Sequence, residues 1–122
     1  MKFNPKLKSD ISRYIGQIIL AEGKKDEEIL RKVGFSNIIL IHEDGVSLSD
    51  RMKSISKLIP KKEKVCVLTD FDKKGKMLYF KIKELCNENG IKTDSTLRGL
   101  ILLTGILNIK ELDSMMGKIN KS

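Results

Sequence analysis

Val65-Cys66-Val67-Leu68-Thr69-Asp70-Phe71-Asp72 is an apolar run that ends in two acids, with Gly75 just beyond, and it has an upstream counterpart in Ile18-Ile19-Leu20-Ala21-Glu22-Gly23. Short apolar runs rich in branched residues and bounded by turn residues read as buried strands. In an open α/β sheet, side chains just past the C-terminal ends of strands face the crevice where ligands bind. Glu22, Asp70 and Asp72 are therefore expected to converge from two strands. Three such carboxylates raise one another's pKa and ionise only partly unless a hard cation takes their oxygens; Mg²⁺ does so and keeps positions open for water and phosphate. That donor set belongs to phosphoryl-transfer chemistry.

Working outward, the pattern predicts alternating helices and strands. Leu7, Ile11, Tyr14 and Ile15 lie at helical spacing over residues 6–15, just after Pro5. Residues 17–22 read as the first strand, and a helix from Asp26 to Val33 is closed by Gly34. Ile38–Ile41 reads as a second strand and Leu48–Leu58 as a helix behind a Ser47 or Ser49 cap. Val65–Thr69 follows as the third strand, then a helix from Gly75 to about Asn89, then a short strand over Ile91–Thr93. The tail from Leu97 to Ile119 reads as two short helices, dense in apolar residues and interrupted by Gly99, Gly105 and Gly117. The expected fold is a doubly wound, mainly parallel four-stranded sheet of order 2-1-3-4 with helices on both faces. One domain over residues 1–122 is expected, with its core at about 17–93. In that order strands 1 and 3 are neighbours, and the chain reverses direction between them at the ligand-binding switch point.

With 24 Lys and Arg against 16 Asp and Glu, the formal net charge is +8, which favours an anionic partner such as DNA or RNA. No Trp, two Tyr and four Phe leave few platforms for stacking bases, so backbone contact is expected over base reading. Lys24, Lys25, Lys73, Lys74 and Lys76 flank the acids and are candidates for holding phosphate oxygens; Arg98 joins them if the tail folds back over the strand ends. Asp26 suits either the start of a helix or the edge of the site. His42, before Glu43-Asp44-Gly45, reads as a solvent-facing turn residue. Cys66 and Cys86 lack zinc spacing and fall in apolar patterns. Neither a secretory leader nor a bilayer-length apolar run is legible, so a cytoplasmic protein without membrane contact is expected.

Strand-Glu22-Gly23-x-x-Asp26 followed by strand-Asp70-x-Asp72-x-x-Gly75 resembles the two motifs of the Toprim domain shared by topoisomerases, bacterial primases, small nucleases and recombination proteins. The resemblance covers about Gln17 to Thr93, and the whole chain is most similar to the small stand-alone Toprim proteins of archaea, with Leu97-Arg98-Gly99 in a similar tail. It implies Glu22 as general base or acid, also able to contact the metal, with Asp70 and Asp72 holding Mg²⁺, or Mn²⁺ in its place. Lys76 stands where single-strand-passing topoisomerases carry an acid, and the nucleophilic-tyrosine domain of those enzymes is not legible here, nor are the accessory domains of primases. Glu22-Gly23-Lys24-Lys25-Asp26 is similar to the start of the nucleases that mature small ribosomal RNA.

Two other folds place acids similarly. Asp70-Phe71-Asp72 resembles the start of haloacid-type phosphatases, which carry it on the first strand, and receiver domains want an acid pair at the first site and a fifth strand. Nuclease-like hydrolysis of nucleic-acid phosphodiesters is the expected activity. The alternative is a non-catalytic, metal-dependent nucleic-acid-binding module of a larger processing complex. Part of the apolar tail is the expected surface for a homodimer or protein partner.

Overall fold

The computed structural model describes residues 5–120, with side chains described to Met116. Four strands, β1 (Ile18–Ala21), β2 (Ile38–Leu40), β3 (Lys64–Leu68) and β4 (Lys92–Thr93), form a sheet of order β2-β1-β3-β4. Every pairing is parallel, with Leu20 beside Ile39 on one side and beside Val67 on the other. The helices are α1 (Pro5–Ser12), α2 (Lys24–Val33), α3 (Leu48–Leu58), α4 (Lys73–Glu88), α5 (Thr96–Leu102) and α6 (Leu112–Asn120), with a 3₁₀ turn at Ile109–Glu111.

β1 and β3 are central and covered on both faces, which is why their sequences are continuous apolar runs rather than alternating ones. Ile19, Ala21, Cys66 and Leu68 face one layer, packed with Leu7, Ile11, Leu30, Leu97, Ile101 and Ile109. Ile18, Leu20, Val65 and Val67 face the other, packed with Met52, Ile55, Ile82 and Leu85. The tail supplies much of the first layer: α6 packs on α2, and α5 on α1 and β3. Both cysteines are buried thiols within these layers. Among the described residues no helix is long and apolar enough to cross a membrane.

Element ends differ from the sequence expectation for local reasons. The first helix stops at Ser12, whose hydroxyl donates to the Lys8 carbonyl, and the chain then turns through residues 13–16, leaving Tyr14 and Ile15 outside it. α4 begins at Lys73, ahead of Gly75, because Asp72 is its N-cap and accepts from the Gly75 amide at 2.7 Å. α2 begins at Lys24, directly after Gly23. β1 stops at Ala21, so Glu22 stands just past the strand end.

Candidate functional site

The carboxyl ends of β1 and β3 lie side by side, with Ala21 registered against Leu68. Glu22 leaves the first and Asp70 the second, and both line a cleft of about 370 Å³ together with Asp72, Lys74, Gly75 and Leu78. Asp70 and Asp72 each commit one oxygen to backbone: Asp70 Oδ1 accepts from the Ile109 amide at 2.8 Å, and Asp72 Oδ1 caps α4. The cap that turn chemistry alone would provide is thus present at Asp72, on the same residue that faces the cleft. Among the described residues, no three acids, histidines or cysteines stand close enough together to hold one ion as they are placed.

Glu22 and Asp70 also line a second concavity of about 380 Å³ with Gly23, Lys24, Lys25, Asp26 and Lys110. Asp26 is buried, at 8 % exposure. Its carboxyl is pushed up to about 6, first by burial and then by the negative charges of Asp70 and Glu22, with Lys110 opposing. The acids therefore sense one another, and Asp26 belongs to the acidic group rather than to the helix start alone. Of the flanking lysines, Lys74 borders the first cleft and Lys24 and Lys25 the second; Lys73 and Lys76 are exposed on the first turns of α4 and border neither.

Arg98, expected among the phosphate contacts, is placed differently in the structure. Its side chain is buried, donating to the Thr69 carbonyl at 2.7 Å and the Asp70 carbonyl at 3.1 Å. The guanidinium carbon lies over two rings, 4.5 Å from the Phe71 centroid and 4.2 Å from that of Tyr79. With two donors committed to backbone and two rings packed against its guanidinium, Arg98 orients the end of β3. The tail holds that segment at further points, since the Phe71 amide donates to the Leu107 carbonyl at 2.7 Å and the Ile109 amide to Asp70.

Gly75 is required by contact rather than by backbone freedom: a Cβ there would meet the Asp70 carbonyl oxygen at 2.2 Å. The Thr69 hydroxyl donates to the Gly75 carbonyl at 2.7 Å, closing the same approach of strand end to helix. Gly23 is different, being extended and with nothing within 4 Å of its would-be Cβ. His42 is exposed and bonds Asp44 at 2.9 Å across its turn. Lys110, Leu107 and Ile109 escape sequence reasoning because they sit in the apolar tail, far along the chain from the acids they meet. Arg98 is the one residue in that tail that signals the fold-back.

Residues 17–96 match the family model of the Toprim domain. A UPF0292 protein of Methanocaldococcus jannaschii is 32% identical over 104 residues, covering 84% of this chain and 78% of its own. One of Methanosarcina barkeri is 26% identical over 119 residues, covering 94% and 79%. Ribonuclease M5 of Mesoplasma florum is 34% identical over 62 residues, a stretch that spans 51% of this chain and 35% of that enzyme. A solved structure of a protein from Aquifex aeolicus superposes with a TM-score of 0.70 at 25% identity, covering 91% of this chain and 99% of that one. The small archaeal relatives agree with the resemblance read from the two motifs.

Proposed function

The chain belongs to the Toprim domain family, and from that premise we propose that it acts on nucleic-acid phosphodiester bonds by Mg²⁺-dependent, nuclease-like hydrolysis. The observation that carries the reading is the placement of Glu22 and Asp70 at the ends of adjacent central strands, lining one cleft with Asp72 and with Lys74 at its edge. The partial similarity to ribonuclease M5 supports hydrolysis over the other reactions of the family.

By donor chemistry, three carboxylates at one cleft suit a hard divalent ion, and side-chain rotation is needed to bring their oxygens to one point. Asp70 and Asp72 each keep Oδ2 outside the backbone hydrogen bonds, and after burial it is the negative charges of Asp70 and Glu22 that push Asp26 up, against the opposing Lys110. Glu22, Asp70 and Asp72 are the residues that would hold Mg²⁺ or Mn²⁺. When bound, the ion polarises the phosphoryl group and lowers the pKa of water. Glu22, exposed at the cleft, would accept the proton of the attacking water, and the departing oxygen would take its proton from solvent. Lys74, with Lys24 and Lys25 across the Glu22 wall, offsets the phosphate charge. Lys73 and Lys76 contact backbone farther along, and Arg98 keeps the Asp70 backbone in place.

A second reading is a non-catalytic, metal-dependent binding module within a DNA- or RNA-processing complex. The exposure of Leu102, Leu103 and Leu107 near the strand end favours it, as apolar side chains there suit a protein partner or a second copy. The test is cleavage of labelled single- and double-stranded RNA and DNA with Mg²⁺ or Mn²⁺. For a nuclease, Glu22→Gln and Asp70→Asn each lose at least about 100-fold in rate. Turnover that both variants retain sinks the assignment of chemistry to this cleft. Binding without cleavage by wild type selects the module.

A further inference from the structure

An open groove of about 710 Å³ lies at the opposite end of β3 from the acids, against β4, and is lined by Lys64, Lys83, Asn87 and Lys92, with Glu84 its acidic member. We propose that this groove is a second phosphate-binding site, holding the backbone of the same polynucleotide whose phosphodiester reaches the acidic cleft. The inference rests on the nucleic-acid reading above and adds the substrate's extent: a polymer that spans the molecule along α4.

Three observations lead there. Lys64 and Lys92 are direct partners in the β3–β4 ladder, so two ammonium-bearing side chains start from neighbouring strands roughly 4.8 Å apart. Like charges in that position destabilise a sheet. Asp94, whose carboxyl is lowered chiefly by its hydrogen bonds with Thr96 and least by Lys64, and Glu84, which borders the groove, are the nearby acids, so three lysines stand against two acids. An anion in the groove removes the repulsion.

The second observation is continuity. α4 begins at the acidic cleft, where Lys74, Gly75 and Leu78 line the wall, and its later turns line the groove through Lys83 and Asn87. Lys76, Phe80, Lys83 and Asn87 recur at helical spacing and all are exposed, forming one stripe along the helix. Phe80 is 65% exposed and lies edge-on to Tyr79, and the Lys83 ammonium stands 5.7 Å from the Tyr79 ring. A basic stripe with an exposed ring suits a sugar-phosphate chain better than a compact phosphorylated metabolite.

Length is the third. From Lys76 to Asn87 a helix rises about 17 Å, and β3 with its exit covers about 20 Å from Lys64 to Asp70. At about 3.4 Å per nucleotide along one strand of a duplex, five or six phosphates bridge the two sites.

The experiment measures fluorescence anisotropy of a labelled 24-mer, a 24-base-pair DNA duplex, and a labelled tetramer, a four-nucleotide DNA strand too short to bridge the two sites, for wild type and a Lys64→Ala/Lys83→Ala/Lys92→Ala variant, over a salt series. The 24-mer is expected to bind the variant at least about tenfold more weakly, with the log-log salt slope reduced by about 2–3, while the tetramer loses less than about twofold. Lys64→Glu supplies a control for folding, because it places an opposite charge beside Lys92. It should raise Tm and still weaken the 24-mer. An unchanged affinity and slope for the 24-mer, or an equal loss for the tetramer, overturns the second site. If the triple variant binds like wild type while Glu22→Gln abolishes cleavage, the groove falls and the acidic site stands. If wild type binds no polynucleotide, both fall.

Discussion

Arg98 donates to the carbonyl of Asp70 from 28 residues away, at 3.1 Å, so an acid of the candidate site is positioned by an arginine that never faces the cleft. The same guanidinium bonds the Thr69 carbonyl and lies over the rings of Phe71 and Tyr79. A lysine has the charge but not the planar fork that serves two carbonyls and two rings together.

Arg98→Ala is accordingly expected to cost about 3–4 kcal/mol, since it leaves the Thr69 and Asp70 carbonyls without that donor and removes the group packed on the two rings. Arg98→Lys should recover less than half of that. Urea melts give the stability, and Mn²⁺ titration calorimetry shows whether the metal site loosens with it. A wild-type melt for Arg98→Ala would contradict the positioning role.

Asp70→Asn separates anchoring from charge. The amide oxygen still accepts from the Ile109 amide, so stability should change by less than about 1 kcal/mol, whereas Asp70→Ala leaves that buried donor unpaired and should cost about 1–2 kcal/mol more. Both variants should lose metal affinity by at least about tenfold. Equal stability of the two would mean the Ile109 contact contributes nothing.

The two motif glycines should behave oppositely. Gly75→Ala drives a methyl into the Asp70 carbonyl and is expected to destabilise by about 2–4 kcal/mol. Gly23→Ala meets open space and should cost under about 1 kcal/mol. Thermal melts of the pair decide it; similar losses would refute the steric account.

Asp26 gives a pH signature. Its folded-state pKa of about 6 exceeds the unfolded value of 3.8, so the folded state binds the extra proton and ionisation destabilises it as pH rises from 3.8 to 6. Asp26→Asn escapes this. In EDTA its stability advantage should be near zero at about pH 4, grow to about 1–3 kcal/mol above pH 6, and then level off. Added Mg²⁺ should narrow the gap. Urea melts from pH 4 to 8 that show a constant difference would contradict the buried, acid-facing placement.

The sheet order and the central strands were legible because strands buried on both faces must be continuous apolar runs, and β1 and β3 are such runs. That Glu22, Asp70 and Asp72 share one cleft was legible because a strand end leaves few directions for the next side chain. Asp26 was only half legible: a helix-start acid carries no mark in sequence of the burial that sets its pKa. Arg98 misled for a related reason, since a basic residue in an apolar tail reads as a ligand for phosphate and gives no sign that two rings and two carbonyls are waiting for it. Lys110 was illegible because its meeting with Asp26 depends on the tail's path, which glycine-interrupted apolar density does not specify.

The tail that holds β3 through residues 98, 107 and 109 follows the acids in the chain, and this sets an order of assembly. A nascent chain whose synthesis has reached only α4 already carries Glu22, Asp70 and Asp72 but has nothing to hold the Asp70 backbone. The part that locks the acidic cleft is thus made after the acids themselves, so a chain halted at α4 holds the acids without the geometry to use them.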